Sequence, residues 1–161
     1  MKAGNIKKIS LLLVAILVLV FSCNNKRVFH EVKKFDDFKW HKTDKAVFNF
    51  NLQDTSVNYD LVLNLRYIQG FPYKYLHLNI EITDPQGKTL VNETKIQIIE
   101  DDNDYIGDGA GSYWDLDYIV PDYPFKEQGI YKIVIEHAMP NDVLTPFNEM
   151  GVSILKRNKE K

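Results

Sequence analysis

The stretch Y-D-L-V-L-N-L-R-Y, Tyr59 to Tyr67, sets Tyr59, Leu61, Leu63, Leu65 and Tyr67 against Asp60, Asn64 and Arg66. Successive side chains of a strand point to opposite faces, so a period of two with one apolar face marks a half-buried antiparallel strand. The next run repeats the pattern: Leu76, Leu78, Ile80 and Ile82 alternate with His77, Asn79, Glu81 and Thr83. Directly after it comes D-P-Q-G, Asp84 to Gly87, where Pro85 presets φ and Gly87 tolerates a positive φ. A strand over Leu90 to Ile98 then completes a hairpin.

Working outward, Tyr131, Ile133 and Ile135 share a face against Lys132 and Glu136, and Gly151 to Lys156 makes a short last strand. Ala46 to Leu52, Val28 to Val32 and Tyr113 to Ile119 carry weaker patterns. Roughly eight short strands with turn signals between them predict an all-β fold, an antiparallel β-sandwich. Phe48, Phe50, Tyr59 and Tyr67 fall at core positions, and a short helical turn is expected near residues 141–147. V-P-D-Y-P-F, Val120 to Phe125, reads as an edge crossover whose aromatics cap the core.

The first 22 residues are different in kind. Lys2, Lys7 and Lys8 precede an unbroken apolar run of eleven residues, Leu11 to Phe21. That is too short to span a bilayer as a helix, which needs about 20 residues, and it suits a signal peptide. The junction V-F-S-C, Val20 to Cys23, resembles the bacterial lipobox, in which the cysteine thiol accepts a diacylglyceryl group. Cys23 is the chain's one cysteine, so it has no partner for an internal disulfide, and lipidation is its expected use. The expected layout is a leader over 1–22, an acylated cysteine and short tether over 23–28, and a sandwich over 29–161.

Three of the 20 basic residues lie in the leader and all 22 acidic ones lie after it. The mature part therefore sets 17 basic against 22 acidic side chains, a formal charge near −5. An acidic domain with scattered cations is a poor nucleic-acid binder. Enzyme signatures are missing too. His30, His41, His77 and His137 show no metal-ligand spacing, and Ser112 in G-A-G-S is not a nucleophile elbow. No catalytic residue is assigned.

The most unusual stretch is E-D-D-N-D-Y-I-G-D-G-A-G, residues 100–111, with five acidic residues and three glycines between two strands. An EF-hand started at Asp102 would put Ile106 at the third ligand position and Tyr113 at the closing glutamate, so only an irregular calcium site fits. The other readings are a solvated loop, or a recognition surface for a protein partner made of Asp101, Asp102, Asp104, Asp108 and Trp114, with Tyr105 and Tyr113 beside them.

As a whole the chain resembles the GldH family of gliding motility lipoproteins of the Bacteroidetes. The resemblance is carried by the leader, F-H-E-V-K-K-F (Phe29 to Phe35), F-N-F-N-L (Phe48 to Leu52) and L-N-L-R-Y (Leu63 to Tyr67). It continues through G-D-G-A-G-S-Y-W-D-L (Gly107 to Leu116), G-I-Y-K-I-V-I-E-H-A-M (Gly129 to Met139) and M-G-V-S-I-L-K (Met150 to Lys156). It implies a non-enzymatic, cofactor-free component of the gliding apparatus. That component is tied to type IX secretion, has other lipoproteins and envelope proteins as partners, and meets the membrane through its lipid anchor. In such organisms surface export goes with acidic residues after the cysteine. Asn24, Asn25, Lys26 and Arg27 are the opposite, which favours the periplasmic face of the outer membrane. The alternative function is a β-sandwich module of the envelope that binds a glycan or calcium.

Overall fold

The computed structural model describes residues 26–157, so the leader and Cys23 lie outside the described residues. The chain forms β1 (Arg27–Lys34), β2 (Trp40–His41), β3 (Ala46–Leu52), β4 (Tyr59–Ile68), β5 (Tyr75–Thr83) and β6 (Thr89–Gln97). Then follow β7 (Asp108–Ala110), β8 (Tyr113–Tyr123), β9 (Gly129–His137), β10 (Val143–Leu144) and β11 (Phe147–Lys156). A five-stranded sheet, β1-β11-β4-β8-β7, packs on a four-stranded sheet, β3-β9-β5-β6, and β10-β2 is a small ribbon. Every strand pairing is antiparallel. The expected antiparallel sandwich is what forms.

Strand parity places the core as the alternation predicts. Phe48, Phe50, Leu61, Leu63, Leu65 and Tyr67 are buried, as are Leu76, Leu78, Ile80 and Ile82 from the other sheet. Asp84 shapes the hairpin turn, its carboxylate accepting from the backbone N–H of Gln86 and of Lys88 at 2.9 Å each, with Gly87 at φ +83°. Phe125 is buried edge-on to Tyr131 (5.0 Å) and Phe50 (5.3 Å), capping the core as read. Pro121 falls where β8 skips register against β4, a place where a missing N–H is tolerated.

The structure departs from the sequence reading in three places. There are eleven strands rather than about eight, because β2, β7 and β10 have only two or three residues, too few for alternation to register. The helical turn near 141–147 is absent. Val143 and Leu144 pair instead with His41 and Trp40, and Pro146 disfavours helical backbone at Thr145. The last strand begins at Phe147 rather than Gly151, since a register shift between Phe147 and Glu149 breaks the parity and hides its first half.

His137 was not singled out by sequence, yet it is 1% exposed and edge-on to Trp40 at 5.3 Å. Its Nε2 lies 3.1 Å from the Trp40 carbonyl, which can only accept, so Nε2 carries the proton. Nδ1 is buried without a partner. Burial lowers the imidazole pKa, with the Trp40 carbonyl pulling the other way. The unfolded chain therefore takes up this proton first. Stability from neutral His137 is full above the unfolded pKa of about 6.5 and is lost as pH falls through the folded value. Urea unfolding from pH 7.5 to 5 should show this loss, and His137→Gln should flatten it. Equal slopes for the two proteins would reject the assignment.

The strand directions give the sandwich two distinct poles. Lys156 N donates to Lys26 O at 2.5 Å and Arg157 N to Asn58 O at 2.8 Å, so both ends of the described chain leave at one pole. The segments 35–45, 69–74, 98–112 and 138–146 gather at the other.

Candidate interaction surface

The acidic segment is a built structure at the far pole. Ile98 N donates to Lys74 O at 2.8 Å, Ile106 N to Ile98 O at 2.8 Å and Glu100 N to Asp104 O at 2.8 Å, closing a turn with Asn103 at φ +72°. The Tyr67 hydroxyl donates to Ile106 O beneath it. Tyr105 is a second pin, its hydroxyl donating to Phe71 O at 3.1 Å and accepting from Gly70 N at 2.8 Å.

The glycines have a steric explanation. A side chain at Gly107 would put Cβ 2.2 Å from the Asp115 carbonyl oxygen, and one at Gly109 would stand 3.3 Å from the Trp114 ring. β7 thus lies directly on Trp114, which also packs on Tyr105 at 5.4 Å between centroids. Trp114 faces inward, its Nε1 shielded and unpartnered. Of the residues singled out, Trp114 supports the surface from below while Asp102, Asp104 and Asp108 are exposed above it. Asp101 pairs with Lys74, and that ammonium holds its carboxyl below the usual carboxylate range. The carboxylates do not converge: among the described residues no group of three or more His, Cys, Asp or Glu could hold a metal ion.

Two aromatic side chains stand out from this pole. Tyr113 is 39% exposed at the tip of the β7–β8 hairpin, and Phe38 is 40% exposed 6.5 Å from it, edge to face. Asp37 and Phe38 sit at φ +51° and +56° in the turn Asp36–Phe38, left-handed backbone that residues with a Cβ adopt at a cost. A polar turn with one aromatic gave no sequence signal for this.

Below Tyr113 a polar network crosses the outer face of the five-stranded sheet. Arg66 lies 6.0 Å from the Tyr113 ring and grips Asp115 with two bonds, Nε to Oδ1 at 2.6 Å and Nη2 to Oδ2 at 2.9 Å. Farther along, His30 Nδ1 lies 2.9 Å from Ser153 Oγ, Ser153 Oγ is 2.7 Å from Asn64 Oδ1, and Asn64 Nδ2 donates to Asp117 at 2.7 Å. The amide nitrogen must face Asp117, which can only accept, so Ser153 gives its single proton to Asn64 Oδ1 and receives one from His30. A shallow groove of about 210 Å³ runs between Val32 and Asn64, where Gly151 contributes no side chain.

An antiparallel sandwich whose far pole carries exposed aromatics and carboxylates defines a small all-β domain. The chain belongs to the GldH lipoprotein family, whose sequence profile matches residues 27–154. It is 34% identical over 135 residues to the gliding motility lipoprotein GldH of Flavobacterium johnsoniae, covering 83% of this chain and 82% of that one. It is 30% identical over 124 residues to the gliding motility lipoprotein GldH homolog of Christiangramia forsetii, covering 76% and 75%. A solved 4-O-methyl-alpha-glucuronidase of family GH115 superposes on 85% of this chain and 18% of its own, at 13% identity and a TM-score of 0.44. At that level the likeness says nothing of function.

Proposed function

We propose that this gliding-motility lipoprotein acts by binding other proteins of the cell envelope through the pole opposite its chain ends, within the machinery of gliding and type IX secretion. The observation that carries the reading is the exposed pair Phe38 and Tyr113 at the pole that also carries the exposed carboxylates of Asp102, Asp104 and Asp108. Partly exposed aromatics are the usual anchors of interfaces, and charged rims set partner choice and encounter rate. A non-enzymatic role fits the polar network, in which Ser153 is 1% exposed and gives its proton to the Asn64 carbonyl oxygen rather than to the neighbouring His30 imidazole. The basic residues Lys26 and Arg27 after Cys23 favour the periplasmic face of the outer membrane.

Changing Asp101, Asp102 and Asp104 to Asn together with Phe38→Ala tests the surface. These residues are exposed or half-exposed, so stability should move by less than about 1 kcal/mol. Colony spreading and crosslinking to envelope partners should both be lost. Normal spreading by a normally folded variant would refute the reading.

A further inference from the structure

The pole that carries the chain ends differs from the rest of the surface in three independent ways. Four of the eight exposed large apolar side chains lie toward it: Val28 (44% exposed), Leu90 (50%), Ile119 (54%) and Ile130 (65%), whereas Val47 and Val91 share a row across the middle of the four-stranded sheet. The four come from both sheets, since Leu90 follows the turn after β5, Ile130 opens β9 and Val28 opens β1. Lys26 and Arg27 are exposed there, and among the described residues neither forms an ion pair. Between the sheets a cleft of about 330 Å³ opens at the same end, lined by Ile82, Leu90, Tyr123 and Tyr131 together with Lys88, Lys126, Asp84 and Glu127.

The length of chain ahead of the domain matters next. Cys23 stands three residues before Lys26, a reach of roughly 11 Å even when fully extended. A lipid on Cys23 therefore brings this pole to the headgroups. Scattered aliphatic side chains on a solvated surface need no explanation, but a group of them around a tethered end, beside the exposed cations Lys26 and Arg27, matches the apolar and anionic layers of a lipid surface.

We propose that this pole is a membrane seat: the collar of Val28, Leu90 and Ile130, with Lys26 and Arg27, rests in the headgroup layer and fixes the domain upright. The occupant is the lipid surface that holds the anchor. Upright seating points Phe38, Tyr113 and the acidic turn away from the bilayer, where envelope proteins would meet them. The proposal rests on lipidation of Cys23, and the test separates the two.

The lipidated full-length protein is reconstituted in vesicles of three parts phosphatidylethanolamine to one part phosphatidylglycerol. A fluorophore is placed on a new cysteine, Thr55→Cys near the chain ends or Gln69→Cys at the far pole, and quenched by nitroxide headgroups. The poles are separated by the ten residues of β4, roughly 30 Å, so quenching at Thr55 should exceed that at Gln69 at least about fivefold. Adding Leu90→Asp and Ile130→Asp, at sites half or more exposed, should erase most of that difference while the protein still floats with vesicles. If the wild type floats no better than Cys23→Ala, the anchor reading falls, and the seat with it. If it floats but both labels are quenched alike, or if the two aspartates change nothing, the anchor stands and the seat is overturned.

Discussion

Gly107→Ala should cost on the order of 3 kcal/mol and loosen the whole far pole. The new Cβ would sit 2.2 Å from the Asp115 carbonyl oxygen and 3.0 Å from its carbon, at φ +116°, where L side chains are strained. The contact is backbone against backbone, so no side-chain rotation relieves it. Relief requires β7 to lift from β8, which uncovers Trp114 and pulls Ile106 from the Tyr67 hydroxyl. Gly70→Ala is the control. Its φ is also positive, +95°, but nothing lies within 4 Å of the added carbon, so only the backbone penalty of roughly 1–2 kcal/mol applies. Urea unfolding and tryptophan emission measure both. Equal costs would show that the close approach of β7 is not what holds the pole.

Trp40→Ala should be at least as damaging, about 4 kcal/mol or a fall in Tm of roughly 15 °C. Trp40 is fully buried, stacked on Phe35 at 4.7 Å and tilted against Phe147 at 5.3 Å. Its Nε1 donates to Asp44 O at 2.8 Å, closing the loop that carries the chain from the five-stranded sheet to β3. Trp40→Phe keeps much of the volume and loses the hydrogen bond, so it should recover more than half of the stability. A phenylalanine variant as unstable as the alanine one would assign the effect to the bond rather than to packing.

Both residues show where sequence reading stops. Trp40 lies in a two-residue strand, W-H between polar residues, with no alternation to reveal that it is the largest fully buried side chain. Gly107 was visible as a glycine in an acidic loop, and positive φ was the natural expectation. The contact that forbids a side chain belongs to Asp115, eight residues on and across a turn. The candidate surface behaves likewise: Asp101, Asp102, Asp104 and Asp108 were legible as unusual charge, whereas Phe38 was not. Trp114, expected to face a partner, packs inward because its parity matches Leu116 and Tyr118.

What the sequence alone determined follows from local rules. The period of two in β3, β4, β5 and β9 determined strand, face and core; D-P-Q-G determined the hairpin turn; and the leader with its single cysteine pointed to a lipoprotein. Each signal is carried by residues within a few positions of one another. The tertiary structure alone decided the order β1-β11-β4-β8-β7, which places the first strand beside the last, and the proton direction through His30, Ser153 and Asn64, drawn from three strands. It also decided which exposed side chains gather at each pole, Val28, Leu90 and Ile130 toward the chain ends and Phe38 and Tyr113 at the other. Such features depend on contacts between residues as much as 128 positions apart, as Arg27 and Leu155 are, and no window along the chain contains both partners.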